Sequence, residues 1–154
     1  MKVVMLIIAA LFLFFPPPLF AADDAGKVTI YAANVRYFGE ENRSTFTGNV
    51  VMINSEYTLT ADKAEVYFKD GSSVKTIRCF SNVNIKTGDL LALSNFADID
   101  AAKKIISVFG NARVWQNNNY MQGDKITFNY ITKEISVQKG EQGSVRVIVN
   151  PDED

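Results

Sequence analysis

The amino-acid sequence predicts an all-β protein. Three observations point there. Apolar and polar residues alternate with a period of two from Val28 onward, clusters of turn-forming residues separate those runs, and a pattern of small residues, Asn and Asp-Lys returns about every 30 residues. Such alternation gives a strand one face for a core and one for water. The Val, Ile, Thr, Tyr and Phe that fill the runs suit a pleated, half-buried surface.

The elements follow in chain order. VTIYA (28–32), YTLTA (57–61), AEVYF (64–68), VNIK (83–86), ITFNY (126–130) and SVRVIV (144–149) carry the strand period. FGEENRS (38–44), KDGSS (69–73), TGD (87–89), QNNN (116–119) and KGEQG (139–143) are the turn signals between them. DIDAAKK (98–104) has some helical propensity but is too short to outweigh its surroundings. Short strands at close spacing are therefore expected.

GNVVMINSEYTLTADK (48–63) and GNARVWQNNNYMQGDK (110–125) share their ends and differ in their filling. Asn49, Asn82 and Asn111 stand 33 and 29 residues apart, and Ala61, Ser94 and Gly123 keep the same two intervals. A repeat of that length means a stacked architecture. The stretch Gly48–Thr60 accommodates a strand, a tight turn and a returning strand. The chain then bends from one sheet to another, where small residues relieve crowding and Asn or Asp tolerates unusual backbone angles. Asp62 and Asp124 are thus expected as corner residues rather than catalytic ones.

The amino terminus has a different composition. Lys2 precedes an apolar run (3–15) and PPPLFAA (16–22), the tripartite form of a secretory signal peptide cleaved after Ala21 or Ala22. An uncleaved anchor is the alternative, although about 13 apolar residues are short for a span of ~20. Residues 1–21 are thus expected to be a signal peptide and 22–154 a single domain, which its length permits. The signal is expected to take the chain out of the cytoplasm. No Cys near the cleavage region offers a lipid anchor.

The remaining 133 residues carry 15 basic and 17 acidic side chains. That balance supplies neither a basic footprint for nucleic acid nor a polybasic patch for anionic lipid. Cys79 is the single cysteine, so no internal disulfide forms, and it is expected as a small buried residue. The chain has no His, which removes the commonest general base and metal ligand. It has no Gly-rich phosphate loop and no metal-ligand spacing. Asp98 and Asp100 alternate along one strand and are expected as solvated charges, with weak cation binding the alternative. No enzyme, cofactor or metal is expected.

Parity places Val50, Met52, Tyr57, Leu59, Ala61, Ala64, Val66 and Phe68 on one face. It adds Val83, Ile85, Leu90, Ala92, Ala97 and Ile99, then Val114, Met121, Ile126, Phe128 and Tyr130. Facing sheets lined this way ordinarily pack into a dry core. The mixture of large side chains with Ala and Gly also leaves room for a guest.

FTGNVVMINSEYTLTADKAEVYF (46–68), FGNARVWQNNNYMQGDKITFNYITKEISV (109–137) and the VRVIVNP end (145–151) resemble the LptA, or OstA-like, family of periplasmic lipopolysaccharide-transport proteins. The resemblance implies an open, slightly twisted antiparallel β-jellyroll of two facing sheets, whose apolar groove shelters the acyl chains of lipopolysaccharide while the sugars face water. It implies a bridge that passes lipopolysaccharide from the inner to the outer membrane. The implied partners are inner-membrane LptC with the ATP-driven LptB/LptF/LptG extractor, outer-membrane LptD, and further copies of the chain joined head to tail. No nucleic acid is implied. Edge strands near 28–33 and 144–149 would be the docking surfaces, by strand addition. The match to the family's first strand puts Val28 and Ile30 in the groove. The full expected lining is Val28, Ile30, Val50, Met52 and Tyr57, then Leu59, Val66, Phe68, Ile85 and Leu90, then Ile99, Val114, Met121, Ile126 and Phe128. The same fold serves LptC and the N-terminal part of LptD. An exported structural β-solenoid with a dry core is the alternative, and a glycan-processing enzyme with a carboxylate pair is a third reading.

Overall fold

Ten antiparallel strands form one continuous sheet in the computed structural model, which describes residues 27–140 and 143–150. They are β1 (Thr29–Tyr31), β2 (Asn34–Phe38), β3 (Arg43–Ile53), β4 (Thr58–Lys69) and β5 (Ser73–Thr87). There follow β6 (Leu90–Asp100), β7 (Ile105–Gln116), β8 (Asn119–Asn129), β9 (Ile135–Gln138) and β10 (Arg146–Ile148). From β3 to β8 each strand pairs with its neighbour in sequence. Both β1 and β2 pair with β3, and both β9 and β10 pair with β8.

The long strands do not stay in one plane. Register breaks between Thr47 and Val50, Phe80 and Val83, and Phe109 and Ala112 set two residues against one in the next strand. The pairs are Gly48-Asn49 against Asp62, Ser81-Asn82 against Asn95, and Gly110-Asn111 against Asp124. All six residues of the Gly/Ser-Asn pairs have left-handed backbone angles, from φ 47° at Asn49 to 83° at Gly48. Gly adopts that region freely, and Asn, with its short polar side chain, is the ordinary residue that tolerates it best. The spaced Asn residues are therefore corner devices, as their spacing suggests. Ser81 meets the same demand with a side chain that Gly48 and Gly110 lack.

The carboxylates of the repeat serve those corners. Asn82 Nδ2 donates to Asp62 Oδ2 at 2.7 Å, and the Gly140 amide donates to Asp124 Oδ2. Each of β3 to β8 thus crosses from one layer to a second. Layer A holds β2, the first part of β3, the second of β4, and so on to β9; layer B holds β1, the complementary parts, and β10.

Two sequence expectations need correction. YTLTA and AEVYF are parts of one twelve-residue strand, β4, because the corner residues resemble turn residues yet the chain continues through them. The edges are also divided: β1 and β10 close only layer B, whereas β2 and β9 close layer A. DIDAAKK ends β6 and then turns, with the Lys103 amide donating to Asp100 Oδ1 at 3.0 Å. Every pairing is antiparallel, which departs from a parallel solenoid. The expected signal peptide lies outside the described residues.

Candidate functional site

The candidate site is the space between the layers, and alternation builds it. Along β4, Ala64 and Val66 turn inward and are fully buried, while Lys63, Glu65 and Tyr67 turn outward. Along β5, Ile77, Cys79, Val83 and Ile85 turn inward, while Arg78 and Lys86 do not. All fifteen expected lining residues belong to the interior. Val50, Met52, Tyr57, Leu59, Val66, Ile85, Leu90, Ile99, Val114, Ile126 and Phe128 are buried in one cluster, and Val28, Ile30, Phe68 and Met121 pack against it half-buried. Removing a side chain of this size from water contributes about 1.5–3 kcal/mol. The middle of the interior is therefore filled by the protein's own side chains.

The interior reaches the surface in two kinds of place. Inward-facing Val35 and Tyr37 on β2 are 65% and 59% exposed at one end, and Val147 on β10 is 53% exposed at the other. Opposite the corners, the hairpin rims of the two layers meet along a seam. Tyr57 of layer B and Tyr130, just past β8 in layer A, meet there edge to face with ring centroids 5.4 Å apart. Beside them lies a cleft of about 540 Å³ lined by Asn54, Tyr57, Phe68, Val74, Lys104 and Tyr130. Rim hydrogen bonds such as Tyr130 N–H to Lys104 O, and Asn117 N–H to Asp89 O, stay within one layer.

Chemically, this interior can shelter apolar matter. The strand acids of layer A face outward and are ion-paired, Glu65 with Lys63 at 2.8 Å, Asp98 with Arg78 at 3.7 Å and Asp100 with Lys103 at 3.4 Å. No group of His, Cys, Asp or Glu side chains suited to a metal occurs among the described residues. Cys79 faces inward, and burial, followed by the charge of Asp98, pushes its thiol up to about 12. Burial likewise raises the Tyr57 and Tyr130 hydroxyls. A thiol held protonated in the fold but ionising near 9 once unfolded contributes stability that is complete below pH 9 and lost as pH rises toward 12. Unfolding free energy is thus expected to fall between pH 9 and pH 11. Cys79→Ala should remove up to about 1.4 kcal/mol per pH unit of that slope. Equal slopes in urea titrations of the two proteins would refute the assignment.

Sequence reasoning missed Ile77, Ile106, Val108 and Ala112, all buried in the same cluster. Ile77 alternates with Cys79, and Ile106 with Val108, so the signal was present. It missed β2 and β9 altogether, and with them Val35, Tyr37, Ile135 and Val137.

Comparison with known proteins places this arrangement. The family model described as LptA/(LptD N-terminal domain) LPS transport protein matches residues 29–134. Among curated proteins nothing matches. Among solved structures, the chain is similar to LptH of Pseudomonas aeruginosa, described as the LptA homologous periplasmic component of the conserved lipopolysaccharide transport device. The TM-score is 0.75 at 12% identity, covering 84% of this chain and 99% of that one.

Proposed function

The chain belongs to the LptA/(LptD N-terminal domain) family of LPS transport proteins, and from that premise we propose that it is a non-catalytic periplasmic carrier whose two layers shelter lipopolysaccharide acyl chains on the way to the outer membrane. The observation that supports this most is the single apolar interior running between layers with exposed apolar ends. Acyl chains would take the place that side chains now fill, and sugars and phosphates would stay in water at the seam. Loading then requires the layers to separate. The seam is the place for it, because its aromatic contact is apolar and the rim hydrogen bonds named above do not cross it. The bulged corners on the opposite side would act as the hinge.

Residues 1–21 would direct export and leave 22–154 as the carrier domain. The two ends suit end-to-end assembly. Each offers two edge strands, β1 with β2 and β9 with β10, and unpaired edges accept further strands. Another copy, LptC beside the LptB/LptF/LptG extractor, or LptD would dock there. The dense middle of the interior favours a second reading, a dry-cored structural polymer without cargo.

A photo-crosslinking amino acid at Leu59, with outward-facing Tyr67 as control, separates the two readings in living cells. Transport predicts a lipopolysaccharide adduct at Leu59 and none at Tyr67. A folded, exported protein that gives no adduct at Leu59, Ile30 or Phe128 would have a sealed core.

A further inference from the structure

Near balance of charge in the sequence conceals a separation by face. The outward residues of layer A include acids and bases in contact: Lys63 with Glu65, Arg78 with Asp98, and Arg43 with Glu41 at 2.7 Å. The outward residues of layer B strands include no acid. Their charges are Lys86, Arg113 and Arg146, which have no ion-pair partner among the described residues. Among the described residues, the carboxylates next to these strands along the chain sit off the face, at Glu56 and Asp89 in the rim hairpins and at Asp62 and Asp124 along the corners.

Apolar side chains occupy the ground between these cations. Register places Leu91 beside Trp115, Trp115 beside Tyr120, and Tyr120 beside Ile148. Trp115 and Tyr120 are in ring contact at 5.1 Å, both only part-buried. In the adjacent row, Leu93 pairs with Arg113 and Gln122 with Arg146; Lys86 pairs with Leu91. Interior packing does not call for these residues, because they lie on the opposite face from the core.

We propose that the outer face of layer B is a docking surface for an anionic lipid bilayer. Aromatic rings with a polar tip suit the boundary between headgroups and acyl chains, and unpaired cations suit lipid phosphates. The lack of carboxylates removes the repulsion that the rest of this slightly acidic protein would meet there. The surface is separate from the interior, so it adds to the carrier reading without depending on it. Docked this way, the shell would lie with the flat of one layer against a membrane and its seam at the membrane border.

Trp115 is the only tryptophan of the chain, so its fluorescence reports on this face alone. The test mixes the full chain with vesicles of phosphatidylethanolamine and phosphatidylglycerol, or of phosphatidylethanolamine and phosphatidylcholine. Some of each carry brominated acyl chains as quencher. The apolar stretch 3–15 can tether the chain to both, which is why the readout is Trp115 rather than sedimentation. Expected are a blue shift and bromine quenching with the anionic vesicles, weakened by salt. Lys86→Gln and Arg113→Gln should each lower the docked fraction relative to the undocked about five-fold, and about 25-fold together. Arg78→Gln, on layer A, should leave it unchanged. The single variants carry the result if the double variant does not fold, as judged by circular dichroism. Equal quenching in neutral vesicles, no shift at all, or equal loss with Arg78→Gln would overturn the proposal. So would a vesicle-free shift that grows with protein concentration, which would assign the face to a second copy, or a shift on adding an acidic partner protein alone.

Discussion

Replacing Phe128 by Ala lowers the free energy of unfolding by about 3–5 kcal/mol, the range for removing a fully buried aromatic side chain from a core that cannot close the gap. Phe128 is 1% exposed and is among the largest fully buried side chains of the interior. It sits where β8 runs toward the seam, flanked by Ile106 on β7 and Ile135 on β9. Both are held by strand pairing, so relaxation into the void is limited. Urea unfolding of Phe128→Ala beside Tyr67→Ala measures the effect. The outward Tyr67 should cost about 1 kcal/mol or less. A loss at Phe128 no larger than at Tyr67 would mean that the interior is loosely filled.

Gly48→Val is the second large effect, expected at about 2–5 kcal/mol. Two costs combine. At φ 83° a β-branched side chain is a backbone outlier, worth about 1–2 kcal/mol. A Cβ at Gly48 would also stand 2.7 Å from the Ala33 Cβ, and such crowding costs about 1–3 kcal/mol. Ala33 cannot easily move, because its amide donates to the Gly48 carbonyl at 2.9 Å where the chain passes between β1 and β2. Relief by displacement would loosen both edge strands at that end. Gly88 is the comparison: its φ is 54° but nothing lies within 4 Å of an added Cβ. Gly88→Ala should cost only the backbone part, about 1 kcal/mol. Melting temperatures of the two variants decide it, and equal losses would show that the Ala33 contact is inconsequential.

The side of each strand that faces inward was legible in the sequence, because a period of two cannot be displaced without turning every side chain over. Val50 to Phe128 all fell on the expected face for that reason. Strand length was less legible. Gly48-Asn49 or Gly110-Asn111 has the composition of a turn, and only pairing to the next strand distinguishes a bulge from a reversal. Parity also weakens where both faces are apolar. LLAL (90–93) and RVW (113–115) put Leu, Val or Trp on each side, which hid the outer face of layer B. Net charge could not reveal that face either, since a sum says nothing about which layer holds which sign. Whether the interior is filled depends on volumes across the two layers, which alternation along one strand does not encode.

Because β3 to β8 each pair with the next strand in sequence, the long dimension of the shell is counted in repeats. A segment such as Asn49–Ser81 carries one corner of each kind and one hairpin of each layer. Duplicating it in frame adds two strands without crossing any existing connection, which extends the shell by roughly 10 Å at ~4.8 Å per strand. Reach across a gap can therefore evolve in steps of one repeat, with the terminal strands, and whatever they bind, carried along unaltered.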